Sequence, residues 1–133
     1  MKSDKIIKFL HIPVQSGSQK IVKDMKRIHT VDEFKEIVNS FREIFPRSIY
    51  KESTIATDII VGYPTETEDD FNDTYNLIND LKPEVLNVSG FSSRPRTKAA
   101  ELKQLSSEII KERTKKLNEL YLSYRKRLIL PIV

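Results

Sequence analysis

Apolar positions along the chain fall into two alternating periods. Runs such as Ile6-Ile7-Lys8-Phe9-Leu10-His11-Ile12, Thr54 to Val61 and Val85 to Phe91 are short, continuous and rich in β-branched residues, which predicts strands. Between them the apolar residues recur at three- and four-residue spacing. Phe34, Ile37, Val38, Phe41 and Phe45 form one such stripe, and Phe71, Tyr75, Ile78 and Leu81 another. Each predicted helix carries its own punctuation. Ser18 is placed to cap a short helix over Gln19–Lys26, Thr30-Val31-Asp32-Glu33 reads as a capping box, and Thr67-Glu68-Asp69-Asp70 supplies a cap with an acidic first turn. Pro46 and Pro83 stop the second and third helices. A long helix from about Ser107 repeats Ile110, Leu117 and Tyr124 every seven residues, and an Arg/Pro-rich loop, Ser92 to Lys98, precedes it.

The resulting order, β-α-α-β-α-β-α, predicts an α/β fold with about three parallel strands joined by crossover helices. The second strand, Thr-Ile-Ala-Thr-Asp-Ile-Ile-Val, suits a position covered on both faces. A closed eight-stranded barrel takes about 250 residues, so 133 residues form at most part of one. An open three-stranded sheet as a complete domain is the competing interpretation.

Composition narrows the chemistry. There is no cysteine, which excludes disulfides, thiolate zinc sites and cysteine-ligated clusters built from this chain alone, and two histidines are too few for a metal cage. Hydrophobic residues at 38% and charged residues at 32% are the balance of a soluble globular protein, with no apolar run long enough to span a bilayer and no secretory signal at the amino terminus. A cytoplasmic location is the default. The net charge is +4, but Arg94 to Arg127 holds eleven Lys and Arg against four Glu, so positive charge gathers at the carboxy-terminal end. That permits a polyanionic partner; a solvated helix face explains it equally well.

Ligands of parallel α/β folds sit at the carboxyl ends of the strands. Three loops qualify: Pro13–Ser18, Gly62–Thr67 and Ser92–Thr97. Two of the chain's three glycines, Gly17 and Gly62, directly follow strands, which implies backbone constraint or close ligand approach, or else ordinary turns. Gln15 and Ser16 offer hydrogen-bonding groups, and the helix start near Ser18 suits an anion or carboxylate. Asp58 interrupts an apolar strand and shares a face with Ala56, Ile60 and Gly62 by alternation, so it either lines a wet cavity or forms a structural ion pair. Glu66 suits a helix cap or a ligand contact, with the cap favoured by its position, and His11 reads as a satisfied structural histidine. Arg94 and Arg96, flanking Pro95 and followed by Thr97, are candidates for phosphate or RNA contact.

The blocks His11-Ile12-Pro13-Val14-Gln15-Ser16-Gly17-Ser18, Met25-Lys26-Arg27, Thr57 to Thr67 and Phe91 to Ala99 occur in the order found in radical S-adenosylmethionine (SAM) methylthiotransferases, and the chain resembles that family from about Phe9 to about Tyr124. Gly-Tyr-Pro-Thr-Glu-Thr and Thr-Lys-Ala-Ala resemble most its archaeal and eukaryotic branch, which modifies threonylcarbamoyladenosine beside the tRNA anticodon. The resemblance implies the carboxy-terminal half of a radical SAM domain, a partial TIM-type barrel, in an enzyme that uses SAM and 4Fe–4S clusters to add a methylthio group at C2 of an adenosine. It implies cofactor-binding roles for Gln15, Ser16, Asp58, Ile60 and Gly62, and substrate or RNA contact for Arg94, Arg96 and Thr97. No residue of this chain is expected to ligate metal. The cluster cysteines would lie upstream, in an amino-terminal part that is a further partner beside tRNA, and the chain alone is expected to be inactive and to hold no tightly bound cofactor. Where the family reads Ser-Pro-Arg-Pro-Gly-Thr, this chain has Ser92-Ser93-Arg94-Pro95-Arg96-Thr97, with Arg96 in place of a flexible glycine. Residues 1–127 are expected to form the barrel part and 128–133 a linker toward an RNA-binding domain. Two uncovered sheet edges predict self-association, and membrane binding is not expected. The alternative is a stand-alone, non-catalytic α/β interaction or RNA-binding module.

Overall fold

The computed structural model describes residues 8–50 and 52–125. Its centre is an open sheet of three parallel strands, β1 (Phe9–His11), β2 (Thr54–Val61) and β3 (Val85–Gly90), in the order β1-β2-β3. The register pairs Phe9 with Thr54 and His11 with Ala56 on one side, and Ala56 with Val85 through Val61 with Gly90 on the other. Parallel neighbours need crossovers. From β1 to β2 the crossover runs through α1 (Gln19–Asp24) and α2 (Val31–Ile44), and from β2 to β3 through α3 (Glu68–Leu81), while α4 (Lys98–Glu101) and α5 (Ser107–Arg125) follow β3. The sheet remains open, as expected for part of a TIM-type barrel.

Helix boundaries follow local chemistry. The Thr30 hydroxyl accepts from Glu33 N at 3.0 Å while Glu33 Oε1 accepts from Thr30 N at 3.1 Å, and Thr67 with Asp70 repeats the arrangement at the start of α3. Each reciprocal pair satisfies two amides that a helix start leaves without partners. At the other end of α3, Lys82 turns left-handed at φ 45° and Arg42 donates to the Leu81 and Lys82 carbonyls, covering oxygens that the helix leaves open.

One face of the sheet carries the core. Leu10, Ile55, Ile59, Val61 and Leu86 pack against Phe34, Val38, Phe71, Ile78, Leu117 and Tyr124. Fully burying such side chains stabilises by roughly 1.5–3 kcal/mol each. The long helix α5 runs back along β3, with the Tyr124 hydroxyl donating to Pro83 O at 2.6 Å and the Tyr121 hydroxyl to Glu84 O at 3.0 Å. Burial raises the Tyr124 pKa far above its ordinary value, so the phenol remains a donor.

Several boundaries differ from the sequence-based expectation. β1 is described only over Phe9–His11; Ile6 and Ile7 lie outside the described residues, as do the expected linker at 128–133 and residues 126–127 of the expected barrel part. Helix α1 stops at Asp24, because Lys26 adopts φ 58° and reverses the chain. Ile37 is 37% exposed although it belongs to the predicted stripe, since the core side of α2 is held by Val31, Phe34 and Val38. The Arg/Pro loop ends in α4, which is capped by Thr97, whose hydroxyl accepts from Ala100 N.

Candidate functional site

The first strand does not simply end at Ile12. Pro13 has no amide to offer the ladder, and Val14 N turns instead to the Thr57 hydroxyl at 3.2 Å. That hydroxyl in turn donates to Ile12 O at 2.7 Å, so one buried threonine closes the interruption. The chain rejoins β2 at Gln15, whose N donates to Asp58 O and whose O accepts from Ile60 N, both at 2.9 Å. Gln15 holds φ 72°, a left-handed conformation that costs a non-glycine residue roughly 1 kcal/mol or more. The backbone thereby locks Gln15, Asp58 and Ile60 together at the carboxyl ends of the strands. The Gln15 side chain accepts from Arg27 Nη2 at 3.3 Å, and both residues border a cleft of about 280 Å³ with Ile12, Lys26 and His29.

The next turn faces inward. Ser16 is fully buried, with its Oγ 3.1 Å from Thr74 Oγ1 and accepting from Ser18 N at 3.1 Å. Gly17 is required by proximity: a Cβ there would sit 2.5 Å from Thr74 Cα and 2.6 Å from Asp73 O. It is the close approach of α3, not of a ligand, that demands glycine. The amides near Ser18 expected to suit an anion are also in use, since Ile21 N donates to the Ser18 hydroxyl, which itself donates to Asp70 Oδ1 at 2.8 Å. A carboxylate of the protein already stands there. Burial opposes the Asp70 charge, yet the Thr67 amide, Lys20, and the Ser18 and Thr67 hydroxyls outweigh it and hold the carboxyl at about 2.

Asp58 lies on the face of the sheet that no helix covers among the described residues. Its Oδ2 is 3.0 Å from His11 Nε2, its Oδ1 accepts from Asn87 Nδ2 at 3.0 Å, and about a third of its side chain is exposed. The three residues form one polar row across β1, β2 and β3. Ile60, partly exposed, follows on the same face.

Gly62 ends β2 at φ 85°, and a Cβ there would overlap the Ile110 side chain from α5. Glu66 does not cap α3. Its Oε1 accepts from Gly62 N at 2.9 Å and from Arg113 Nη1 at 2.8 Å, with Arg113 also donating to Glu66 O. Burial raises the Glu66 pKa despite these partners, and its second oxygen and Arg113 Nε are buried without a hydrogen bond. The pair therefore ties the Gly62 turn to α5 through an incompletely satisfied buried ion pair.

The third loop stands more open. Arg94 and Arg96 are exposed, and Arg96 adopts φ 67°, the left-handed conformation for which glycine is suited. Thr97 donates to Arg94 O at 2.8 Å and borders a cavity of about 600 Å³ shared with Lys26, Tyr63, Thr65 and Lys98. Tyr63 meets Phe91 edge-on with ring centres 5.1 Å apart, joining the second and third loops. The structure thus unites Gln15, Asp58 and Ile60 directly and turns the Ser16 side chain into the core. Gly62 stands at the end of the same strand, whereas Arg94 and Arg96 extend from a separate, exposed loop. Sequence reasoning overlooked Asn87 and Arg113, and for Arg27 the signal was its place in the Met25-Lys26-Arg27 block.

The residues do not fit an iron–sulfur cluster. The chain has no cysteine, and among the described residues no group of three His, Asp or Glu could hold a metal ion. At the strand ends the Gln15 amide and the Arg27 guanidinium line a cleft with Ile12, Val14 and Phe34, while the Asp58 carboxylate, linked to Gln15 through the backbone, faces the open side of the sheet with His11 and Asn87.

Comparison with known proteins places this geometry. A family profile described as the Radical SAM superfamily matches residues 2–78. The chain is 48% identical over 118 residues to a probable threonylcarbamoyladenosine tRNA methylthiotransferase of Archaeoglobus fulgidus, which covers 89% of the chain and 27% of that protein. It is 40% identical over 124 residues to the threonylcarbamoyladenosine tRNA methylthiotransferase of Drosophila melanogaster, covering 93% of the chain and 22% of the relative. The chain thus spans about a quarter of the length of the curated relatives it matches. Among solved structures, coproporphyrinogen III oxidase of Escherichia coli, a radical SAM enzyme, superposes with a TM-score of 0.62 at 19% identity, over 91% of the chain and 27% of the oxidase. With a family match over more than half its length and a fold to go with it, the chain belongs to the radical SAM superfamily.

Proposed function

We propose that this chain is the SAM-binding carboxy-terminal part of a radical SAM domain in a tRNA methylthiotransferase that acts at C2 of threonylcarbamoyladenosine. The observation that carries the reading is the backbone lock of Gln15 to Asp58 and Ile60, which sets an acceptor-rich surface at the strand ends with the Arg27 guanidinium beside it. The names of the relatives carry the choice of tRNA as substrate. On this reading Asp58 accepts from the ribose hydroxyls, the backbone from Ile60 to Gly62 borders the adenine, and Arg27 with Gln15 receives the methionine carboxylate. Ser16 acts by holding the turn. A 4Fe–4S cluster held by residues outside this chain would supply the electron for the radical chemistry of SAM. Arg94, Arg96 and Thr97 meet the tRNA in a salt-sensitive, weakly specific way. A cytoplasmic location accords with a tRNA substrate, and among the described residues no helix is long and apolar enough to cross a membrane.

The open sheet also favours self-association of the isolated chain. β1 and β3 both leave an edge unpaired in the described sheet, while Phe9 on the open face and Ile44 and Ile49 beyond it are more than half exposed. The preceding part of the enzyme would cover these surfaces.

The test is an anaerobic assay of the protein that contains this chain, with SAM and tRNA, read by mass spectrometry of the nucleosides. Methylthiolated threonylcarbamoyladenosine should appear, and Asp58→Asn should lower turnover by about tenfold or more while leaving stability within about 1 kcal/mol. Undiminished turnover in the Asn variant would remove Asp58 from the site. Failure to form any methylthiolated nucleoside would overturn the assigned reaction.

A further inference from the structure

The polar row on the open face is more than a means of satisfying Asp58. A carboxylate has four lone-pair positions, and here one on each oxygen is already taken, by the His11 ring from β1 and by the Asn87 amide from β3. Both donors come from neighbouring strands, so the carboxylate is pinned at its two ends by the sheet itself. His11 reaches Asp58 diagonally, since it pairs in register with Ala56, two residues earlier. Asn87 stands directly opposite Asp58. With Nε2 protonated, His11 donates whether its ring is neutral or charged. Neither oxygen can then rotate out of place without breaking a hydrogen bond. Each retains an acceptor position on an exposed side chain.

We propose that His11 and Asn87 are positioning residues that fix the Asp58 carboxylate so that its two oxygens together receive the two hydroxyls of a vicinal diol, making this row a selector for ribose over deoxyribose. The inference rests on the nucleoside-binding reading of the strand ends and deepens it. Two neighbouring hydroxyls match a carboxylate held with both oxygens facing the ligand. A single hydroxyl would use only one of them. A freely rotating carboxylate would first have to be ordered, losing part of the gain. The row therefore acts through Asp58, and neither His11 nor Asn87 needs to touch the ligand.

The decisive experiment is a titration of this chain, followed by amide NMR, with S-adenosylhomocysteine and with its analogue lacking both ribose hydroxyls. His11→Ala and Asn87→Ala should each weaken S-adenosylhomocysteine binding about tenfold, while the affinity for the analogue stays within about twofold. His11→Gln, which retains an N–H donor, should recover most of the lost affinity. A merely structural role would weaken both ligands alike. Equal losses for the two ligands, or no loss for either, would overturn the positioning role while the nucleoside reading stood on the wild-type titration. Absence of S-adenosylhomocysteine binding by the wild-type chain would overturn the nucleoside reading and this inference with it. Spectral dispersion establishes that each variant is folded, and if His11→Ala does not fold, Asn87→Ala and His11→Gln decide the same question.

Discussion

The two faces of β2 differ more than any two regions of the molecule. Ile55, Thr57, Ile59 and Val61 are at most 1% exposed and are packed or hydrogen-bonded under the helices, whereas Asp58 and Ile60 look out on an open surface. One strand supplies both sets by alternation of its side chains, although Ala56, on the same face as Asp58, is itself only 3% exposed. The covered face is apolar except for Thr57, and that threonine is itself committed to closing the interruption between Ile12 and Val14. The open face carries the carboxylate and its two neighbours. On the proposed reading, stability and ligand chemistry are separated by a single residue step, and substitutions on the two sides should have different signatures.

The largest loss of stability should come from the buried ion pair on the covered side. Arg113→Met leaves the Glu66 carboxylate buried without its cation, which costs about 3–5 kcal/mol in chemical denaturation, while replacing both residues with apolar ones should recover much of it. Ile59→Ala comes next, at about 2–5 kcal/mol, against less than about 1 kcal/mol for Ile60→Ala. Equal costs at these adjacent positions would break the two-face picture.

Acid should expose a smaller effect. The Asp70 pKa is lowered from 3.8 to about 2, so the folded state favours the charged form; the resulting stability is full above 3.8 and is lost as the pH falls toward 2. Asp70→Asn should flatten the acid limb of the stability curve across that interval. Glu66 acts in the opposite sense, because its raised pKa makes the charged form the costly one. The smallest change should be Arg96→Gly, which relieves the left-handed backbone at φ 67° and alters stability by about 1 kcal/mol or less.

Much of the covered side was legible in the sequence. Helical stripes, capping boxes at Thr30 and Thr67 and β-branched runs are local signals, and the three-strand order follows from them. The seven-residue repeat Ile110, Leu117 and Tyr124 also lies along the face of α5 that meets the sheet. The alternation rule places Asp58 on the side opposite the buried Ile55, Ile59 and Val61. What pattern alone did not reveal depends on residues far apart in the chain. Gly17 is demanded by Thr74, 57 positions away, and Gly62 by Ile110 on α5. Glu66 resembles a cap until Arg113 arrives 47 positions later to claim it. Asn87 is an unremarkable polar residue in a strand until the register sets it opposite Asp58. The motif resemblance identified the family, but it could not say that Ser16 points into the core and Gln15 toward Arg27.

The most direct test of the account is to map S-adenosylmethionine onto the isotopically labelled chain through its amide shifts. The predicted result is that Gln15, Arg27, Asp58, Ile60 and Gly62 move together, the outer surfaces of α2 and α3 remain still, and Asp58→Asn weakens the response without unfolding the protein. Shifts confined to the outer helical surfaces, or a response indifferent to Asp58, would contradict it.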